Sequence, residues 1–182
     1  MKIIISLTFL CLCFWFGQYP VSGTNAILES QKARPTVIYL VRHAEKVMTD
    51  PNAKDPDLTP AGYARASALK QYLQDIPVDA FFTSPYIRTR KTLEPVAAGR
   101  EIITYDTHHY TALRDQILKK YKGKTVLIAG HTNSVLEIIQ VLGATKPVPA
   151  IPETKYDYIF KVTLQPGKKP VAEVATYGVP TT

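Results

Sequence analysis

Thr36 to Val41 reads TVIYLV, a β-branched, aromatic and aliphatic run with no charged residue. A strand apolar on both faces must be covered on both, and the common solution is a parallel sheet with helices packed above and below. The run ends in Arg42-His43-Ala44-Glu45, so an arginine and a histidine stand where such sheets bind ligands, outside the carboxyl ends of their strands.

The remaining chain repeats the alternation that a parallel sheet needs. A loop rich in proline, aspartate and asparagine spans Thr49 to Asp57. Thr59-Pro60 then marks a helix start, with threonine as N-cap and proline at the first helical position, and apolar spacing carries that helix to Gln74. Further strands are expected at Val78–Thr83, Ile102–Tyr105 and Thr125–Ala129, and further helices from Tyr86 or Ile87 to Ala98, over Leu113–Tyr121 and over Ser134–Leu142. Gly99, Gly123 and Gly143 fall at the helix ends, where a left-handed residue is wanted. After a proline-rich loop, Tyr158–Leu164 and Val171–Tyr177 flank a Pro-Gly turn and are placed to pair as a hairpin. The expected architecture is α/β, a three-layer α/β/α sandwich with a mostly parallel central sheet.

The amino-terminal segment reads differently. Lys2 is followed by Ile3 to Phe16 without a charged residue, then by Gly17, Pro20 and two small-residue patterns, Val21-Ser22-Gly23 and Thr24-Asn25-Ala26. This is the pattern of a cleaved secretory signal over residues 1–26, with an uncleaved membrane anchor as the alternative, leaving one domain over 27–182. The expected location is extracytoplasmic, periplasmic or secreted. Cys11 and Cys13 both lie in the apolar run, so the mature chain would have neither disulfide nor thiol nucleophile, and Leu10 and Leu12 before them do not suit lipidation. The formal net charge of +7 falls only to +6 without Lys2, the one charged residue of that segment. The excess reads either as a solvated basic face or as a preference for anionic partners. No arginine-rich tract, zinc spacing or aromatic nucleic-acid signature accompanies it, so nucleic acid is not an expected partner.

Three strand ends supply chemistry: Arg42 and His43 after the first, Ser84 with Arg88 after the second, and Gly130-His131 after the one at Thr125–Ala129. In a parallel sheet these ends share one edge, and two of them open helices whose N-termini favour anions. Two arginines and two histidines so placed suit a phosphoryl group, since arginine forks hold phosphate oxygens and a histidine can attack through one ring nitrogen while the other is held. The pattern calls for no metal or other cofactor. Each residue also has a plainer reading: a strand-end histidine can cap backbone groups, Arg88 can pair with Glu94, Ser84 and Thr132 can cap helices, and Glu45 can orient Arg42 or face solvent. Tyr156, Asp157 and Tyr158 wall a cleft or join the core, and Lys46, Arg90 and Lys91 favour a polyanion or simply solubility.

Leu40-Val41-Arg42-His43-Ala44-Glu45, Leu58-Thr59-Pro60-Ala61-Gly62, Thr83-Ser84-Pro85 through Arg88 to Thr92, and Ala129-Gly130-His131 resemble, in order, the blocks of the histidine phosphatase superfamily, which includes the phosphoglycerate mutases. The resemblance implies a phosphoglycerate mutase-like fold, with His43 as the nucleophile that becomes phosphorylated and Arg42, Arg88 and His131 holding the phosphate. Ala44 stands where glycine is common. The proton donor is expected between the second helix and the last catalytic strand. The candidates are Glu94, Glu101, Asp106 and Asp115, with Asp106 preferred because it follows a strand, although it could instead cap the next helix; His108 and His109 stand beside it as rim residues or solvated loop. The implied activity is hydrolysis of a small phosphomonoester. Other expectations within reach are a mutase, for which the Arg88–His131 interval is short, a phosphohistidine phosphatase, which export disfavours, and a phosphate- or anion-binding protein without turnover.

Overall fold

The computed structural model describes residues 34–50 and 52–182. The proposed signal segment and both cysteines lie outside the described residues. Six strands form one sheet: β1 (Thr36–Arg42), β2 (Ala80–Thr83), β3 (Ile102–Thr104), β4 (Thr125–Gly130), β5 (Tyr158–Leu164) and β6 (Val171–Thr176). Their order across the sheet is β3-β2-β4-β1-β5-β6. The first four in that order pair in parallel, and β5 joins β1 antiparallel and turns back into β6, so the last two strands do form a hairpin. Among the described residues no helix is long and apolar enough to cross a membrane.

Among the described residues, four helices cover the sheet: α1 (Pro60–Tyr72), α2 (Ile87–Ala97), α3 (Tyr110–Lys120) and α4 (Thr132–Val141). The alternation of the strands sorts their packing. Ile38, Leu40, Phe82, Ile128, Phe160 and Val162 point to one face and meet Leu113 and Ile117 of α3 and Val135, Ile138 and Ile139 of α4. Tyr39, Val41, Phe81, Leu127 and Ile159 point to the other and meet Leu69 of α1 and Leu93 and Ala97 of α2. Each large side chain withdrawn from water here contributes about 1.5–3 kcal/mol. The expected three layers are thus present, with the chain leaving β1 toward one face and leaving its neighbour β4 toward the other. That divergence between adjacent parallel strands opens a crevice at their carboxyl ends.

Local signals and structure agree at α1, where Thr59 Oγ1 accepts the Gly62 amide at 3.0 Å and proline occupies the first turn. Two helices start earlier than their periodicity indicates: α3 at Tyr110 rather than Leu113, and α4 at Thr132 rather than Ser134. In both cases a histidine, His109 or His131, precedes the first helical residue. At the end of α2 it is Ala98, not Gly99 alone, that turns left-handed, with φ 49°.

Gly62 sits where α1 passes the backbone after β1, and a Cβ there would run into the Glu45 carbonyl oxygen. Gly62→Ala is therefore expected to destabilise the fold by about 1–3 kcal/mol, the usual cost of overpacking a site that cannot yield. Urea denaturation of the variant against wild type measures it, and an unchanged midpoint would refute the close approach.

Candidate active site

The parallel register brings the three strand ends to one place. Arg42 pairs with Gly130 and Thr83 with Ala129, so His43, Ser84 and His131 emerge side by side, and the His43 amide donates to the Gly130 carbonyl at 2.9 Å. The imidazoles of His43 and His131 lie with ring centroids 5.3 Å apart. Behind them Gly130 leaves room for α4 and Tyr105 to pack, because a Cβ there would meet Ser134 Oγ at 2.6 Å and the Tyr105 hydroxyl at 3.2 Å.

His43 is 4% exposed, and its Nδ1 lies 2.8 Å from the Ala44 carbonyl oxygen. A carbonyl only accepts, so Nδ1 carries the proton and Nε2 keeps its lone pair. Burial, opposed by that hydrogen bond and reinforced by Arg42, His131 and Arg88, holds the His43 pKa down at about 3. Burial and then Arg88, Arg42 and Lys46 lower that of His131 to about 4, against a smaller opposing effect of Asp55. Both rings are neutral at neutral pH. Ala44, in the place of the common glycine, is fully buried and its amide donates to Thr92 Oγ1 at 2.9 Å, so the methyl group is accommodated.

Two arginines flank the histidines in matched surroundings. Arg42 lays its guanidinium 4.2 Å over the Tyr156 ring, and its Nη1 donates to the carbonyls of Pro152 and Glu153 at 3.1 and 2.6 Å. Its Nη2 meets Glu153 Oε2 at 2.6 Å. Arg88 stacks 4.3 Å over Tyr86, and its Nη1 lies 3.4 Å from Asp55 Oδ1. The Asp55 carboxylate also accepts the Ile87 amide at 3.0 Å, closing the N-terminus of α2 from a distant loop. The Nε atoms of both arginines are buried without a hydrogen-bond partner among the described residues. Leaving such a donor unpaired costs about 1–3 kcal/mol, so each points to an acceptor that arrives from outside.

His131 Nε2 lies 3.0 Å from Ser84 Oγ, which in turn lies 2.8 Å from Thr89 Oγ1. Ser84 thus reaches a neighbouring histidine rather than capping α2, whose N-cap is Tyr86. A cavity of about 370 Å³ opens beside this group, lined by Tyr86, Arg88, His108, Tyr110, His131 and Asn133 among others. A wider one, about 680 Å³, lies between α1 and residues 178–181, and Arg42, His43, Arg88 and His131 do not line it.

Arg42, His43, Arg88 and His131 are therefore brought together, and Asp106 stands beside Thr107 and His108, which line the same cavity as Arg88 and His131. Asp106 follows β3, which β2 and β4 separate from β1, a span of three strand spacings or about 14 Å. Its exposed carboxylate accepts the His108 amide at 2.8 Å and meets His109 Nδ1 at 2.8 Å, contacts that also hold its pKa below the usual range. Asp106 does not cap the helix that follows, whose N-cap is His109; its carboxylate holds the turn before that helix. Asp115 pairs with Arg114, and Arg88 takes Asp55 in place of Glu94.

Glu45 neither orients Arg42 nor faces solvent. Both its oxygens accept from Arg65 Nε, at 2.8 and 3.0 Å, and Arg65 reaches on to the carbonyls of Tyr177 and Val179 at 3.2 and 3.0 Å. Asp55, Arg65 and Glu153 went unread in the sequence. Arg65 lies on the buried face of α1 beside Gly62, Ala66 and Leu69, where an apolar residue would be expected, and the other two sit in loops without a motif.

The sequence model of the histidine phosphatase superfamily (branch 1) matches residues 38–126, from β1 into β4. Among solved structures, the protein histidine phosphatase SixA complexed with tungstate superposes with a TM-score of 0.60 at 17% identity, covering 80% of this chain and 96% of that one. Bacillus stearothermophilus YhfR gives 0.58 at 19% identity over 78% and 96%. Phosphoserine phosphatase in complex with 3-phosphoglyceric acid, from Entamoeba histolytica, gives 0.55 at 16% identity over 79% and 97%. At these identities the likeness is one of fold, and no curated protein matches the chain. Over residues 38–126 the sequence is thus similar to the histidine phosphatase superfamily, and the fold is the one these phosphatases share.

Two expectations test the site. The depressed histidine pKa values mean that, between the unfolded value of about 6.5 and the folded values, the unfolded chain binds more protons. Stability should thus fall as pH is lowered from about 6.5 toward 4, and His43→Asn should flatten that slope; denaturation curves across this range that showed no such flattening would contradict it. Arg65→Ala strands a largely buried carboxylate and should cost about 3–5 kcal/mol. Its loss of thermal stability is read by calorimetry, and a near-neutral result would show the pair to be dispensable.

Proposed function

We propose that this chain is a phosphomonoester hydrolase that works through a phosphohistidine on His43. The observation that carries the reading is the His43 ring: its Nδ1 proton is committed to the Ala44 carbonyl, leaving a neutral Nε2 lone pair between two arginines with unpaired Nε donors. The fold of phosphatases solved with tungstate and with phosphorylated small molecules supports it.

In the reaction, Arg42, Arg88 and His131 bind the phosphate oxygens and offset the charge that gathers on them in transfer. Nε2 of His43 attacks phosphorus, the bond to the leaving oxygen breaks, and that oxygen takes up a proton. Water then attacks the phosphohistidine, releasing phosphate and neutral His43. Tyr86 and Tyr156, each stacked on an arginine, hold the two guanidinium planes apart and in place. The amino-terminal segment makes the enzyme an exported one, acting on a small phosphate ester of the envelope or its surroundings. Amino-terminal sequencing of the protein recovered from envelope or medium is expected to begin after Gly23 or Ala26.

Rapid acid or base quench during turnover of a phosphate ester tests the core claim. Wild type should yield base-stable, acid-labile phosphoenzyme, and His43→Ala should yield none and lose turnover by at least about a thousandfold. Arg42→Ala, Arg88→Ala and His131→Ala should each lose about a hundredfold or more. Tungstate binding by wild type without hydrolysis of any ester in a broad panel would instead favour an anion-binding protein.

A further inference from the structure

The loop between α4 and β5 carries an acid into the group of residues just described. Glu153 places one carboxylate oxygen 2.6 Å from Arg42 Nη2 and the other 2.9 Å from Thr132 Oγ1, on the residue that follows His131. Its carboxylate therefore spans donors from two of the three strand ends. The side chain is nonetheless 77% exposed, whereas that of Arg42 is 4% exposed. The backbone beneath it is fixed: Arg42 Nη1 grips the Pro152 and Glu153 carbonyls. Three residues on, the Tyr156 amide donates to Thr181 Oγ1 at 2.9 Å, and that hydroxyl donates to buried Asp157 at 2.6 Å. An anchored backbone under a solvent-facing carboxylate describes a group able to swing by a side-chain rotation while staying over the site.

We propose that Glu153 is the proton donor and acceptor of the phosphoryl transfer, a role that rests on the reading of His43 as nucleophile. An arriving phosphate dianion competes for the Arg42 and Thr132 donors that hold the carboxylate. A second negative charge beside it is then disfavoured, so Glu153 takes up a solvent proton as substrate binds. In the first step the His43 Nε2 lone pair forms the bond to phosphorus, the bond to the leaving oxygen breaks, and protonated Glu153 gives its proton to that oxygen, releasing an alcohol. In the second step the Glu153 carboxylate takes a proton from the attacking water, the P–N bond breaks, and its electron pair returns to His43. Phosphate departs and Glu153 is left protonated for the next cycle. Asp106 holds its oxygens on His108 and His109, whereas Glu153 holds its own on Arg42 and Thr132.

Leaving-group dependence separates proton transfer from mere positioning of Arg42. Glu153→Gln keeps an oxygen acceptor for Arg42 but carries no acidic proton. With an alkyl phosphate, whose alkoxide leaves poorly, its kcat/KM should fall by about a hundredfold or more. With p-nitrophenyl phosphate, whose leaving group needs little protonation, the phosphorylation step read by rapid quench should fall by less than about tenfold, and phosphoenzyme should accumulate because the water step lacks its base. Formate should restore alkyl phosphate turnover to Glu153→Ala, a second variant that reads the same chemistry. Equal losses on both esters, or no rescue by formate in variants that melt like wild type, would overturn the proposal. If wild type itself neither forms phosphohistidine nor hydrolyses either ester, the reading of His43 fails and takes this one with it, an outcome recognised because it needs no variant.

Discussion

Three parallel strands ending in step are the condition on which everything at this site rests. Arg42 opposite Gly130 and Thr83 opposite Ala129 mean that one residue of slip would turn a histidine from the crevice into the core or out to solvent. The step is held by apolar packing on both faces. Ile38 and Leu40 are committed to one set of helices and Tyr39 and Val41 to the other, so no shifted register keeps both sets buried. The site's precision is thus drawn from core packing tens of atoms away from any polar group. It also explains how two imidazoles can be pressed within 5.3 Å of one another and kept uncharged.

Two arginines drawn under low-dielectric surroundings pose a problem of uncompensated positive charge. Here each arginine meets a carboxylate from a loop, Asp55 for Arg88 and Glu153 for Arg42, and each lies on a tyrosine face. These partners satisfy the outer nitrogens and leave the inner Nε donors unpaired, so the guanidinium planes are oriented in advance of ligand. The arrangement is asymmetric: Asp55 is also tied to a backbone amide of α2, whereas Glu153 is tied only to side chains.

How much of this was readable in the chain follows from the range of the interactions involved. The strand from Thr36, the cap at Thr59 and the glycine stops depend on neighbours within a turn or two, and they stand nearly where their local chemistry puts them. Arg42, His43, Arg88 and His131 were readable because strand ends and helix starts carry them to one edge of any parallel sheet. Asp55, Arg65 and Glu153 were not, since each acts on a partner 20 to 111 residues away and nothing local marks the pairing. Asp106 follows from the same edge argument, and the order β3-β2-β4-β1 sets the strand before it at the end of the sheet away from β1. Tyr156 and Tyr158, adjacent in outlook, divided between the two roles, one stacking on Arg42 and the other packing on Phe160.

Residues 177–181 return from β6 to the opposite side of the motif, where Arg65 takes two of their carbonyls and Asp157 takes the Thr181 hydroxyl. Asp157 neighbours Tyr156, which supports Arg42, and Arg65 is bound to Glu45, two residues beyond His43. This segment is therefore stitched to the end of β1 from both flanks. Contacts of this kind couple the opening of the segment to that of the loop under Arg42, so residues 177–181 share their local stability with the end of β1.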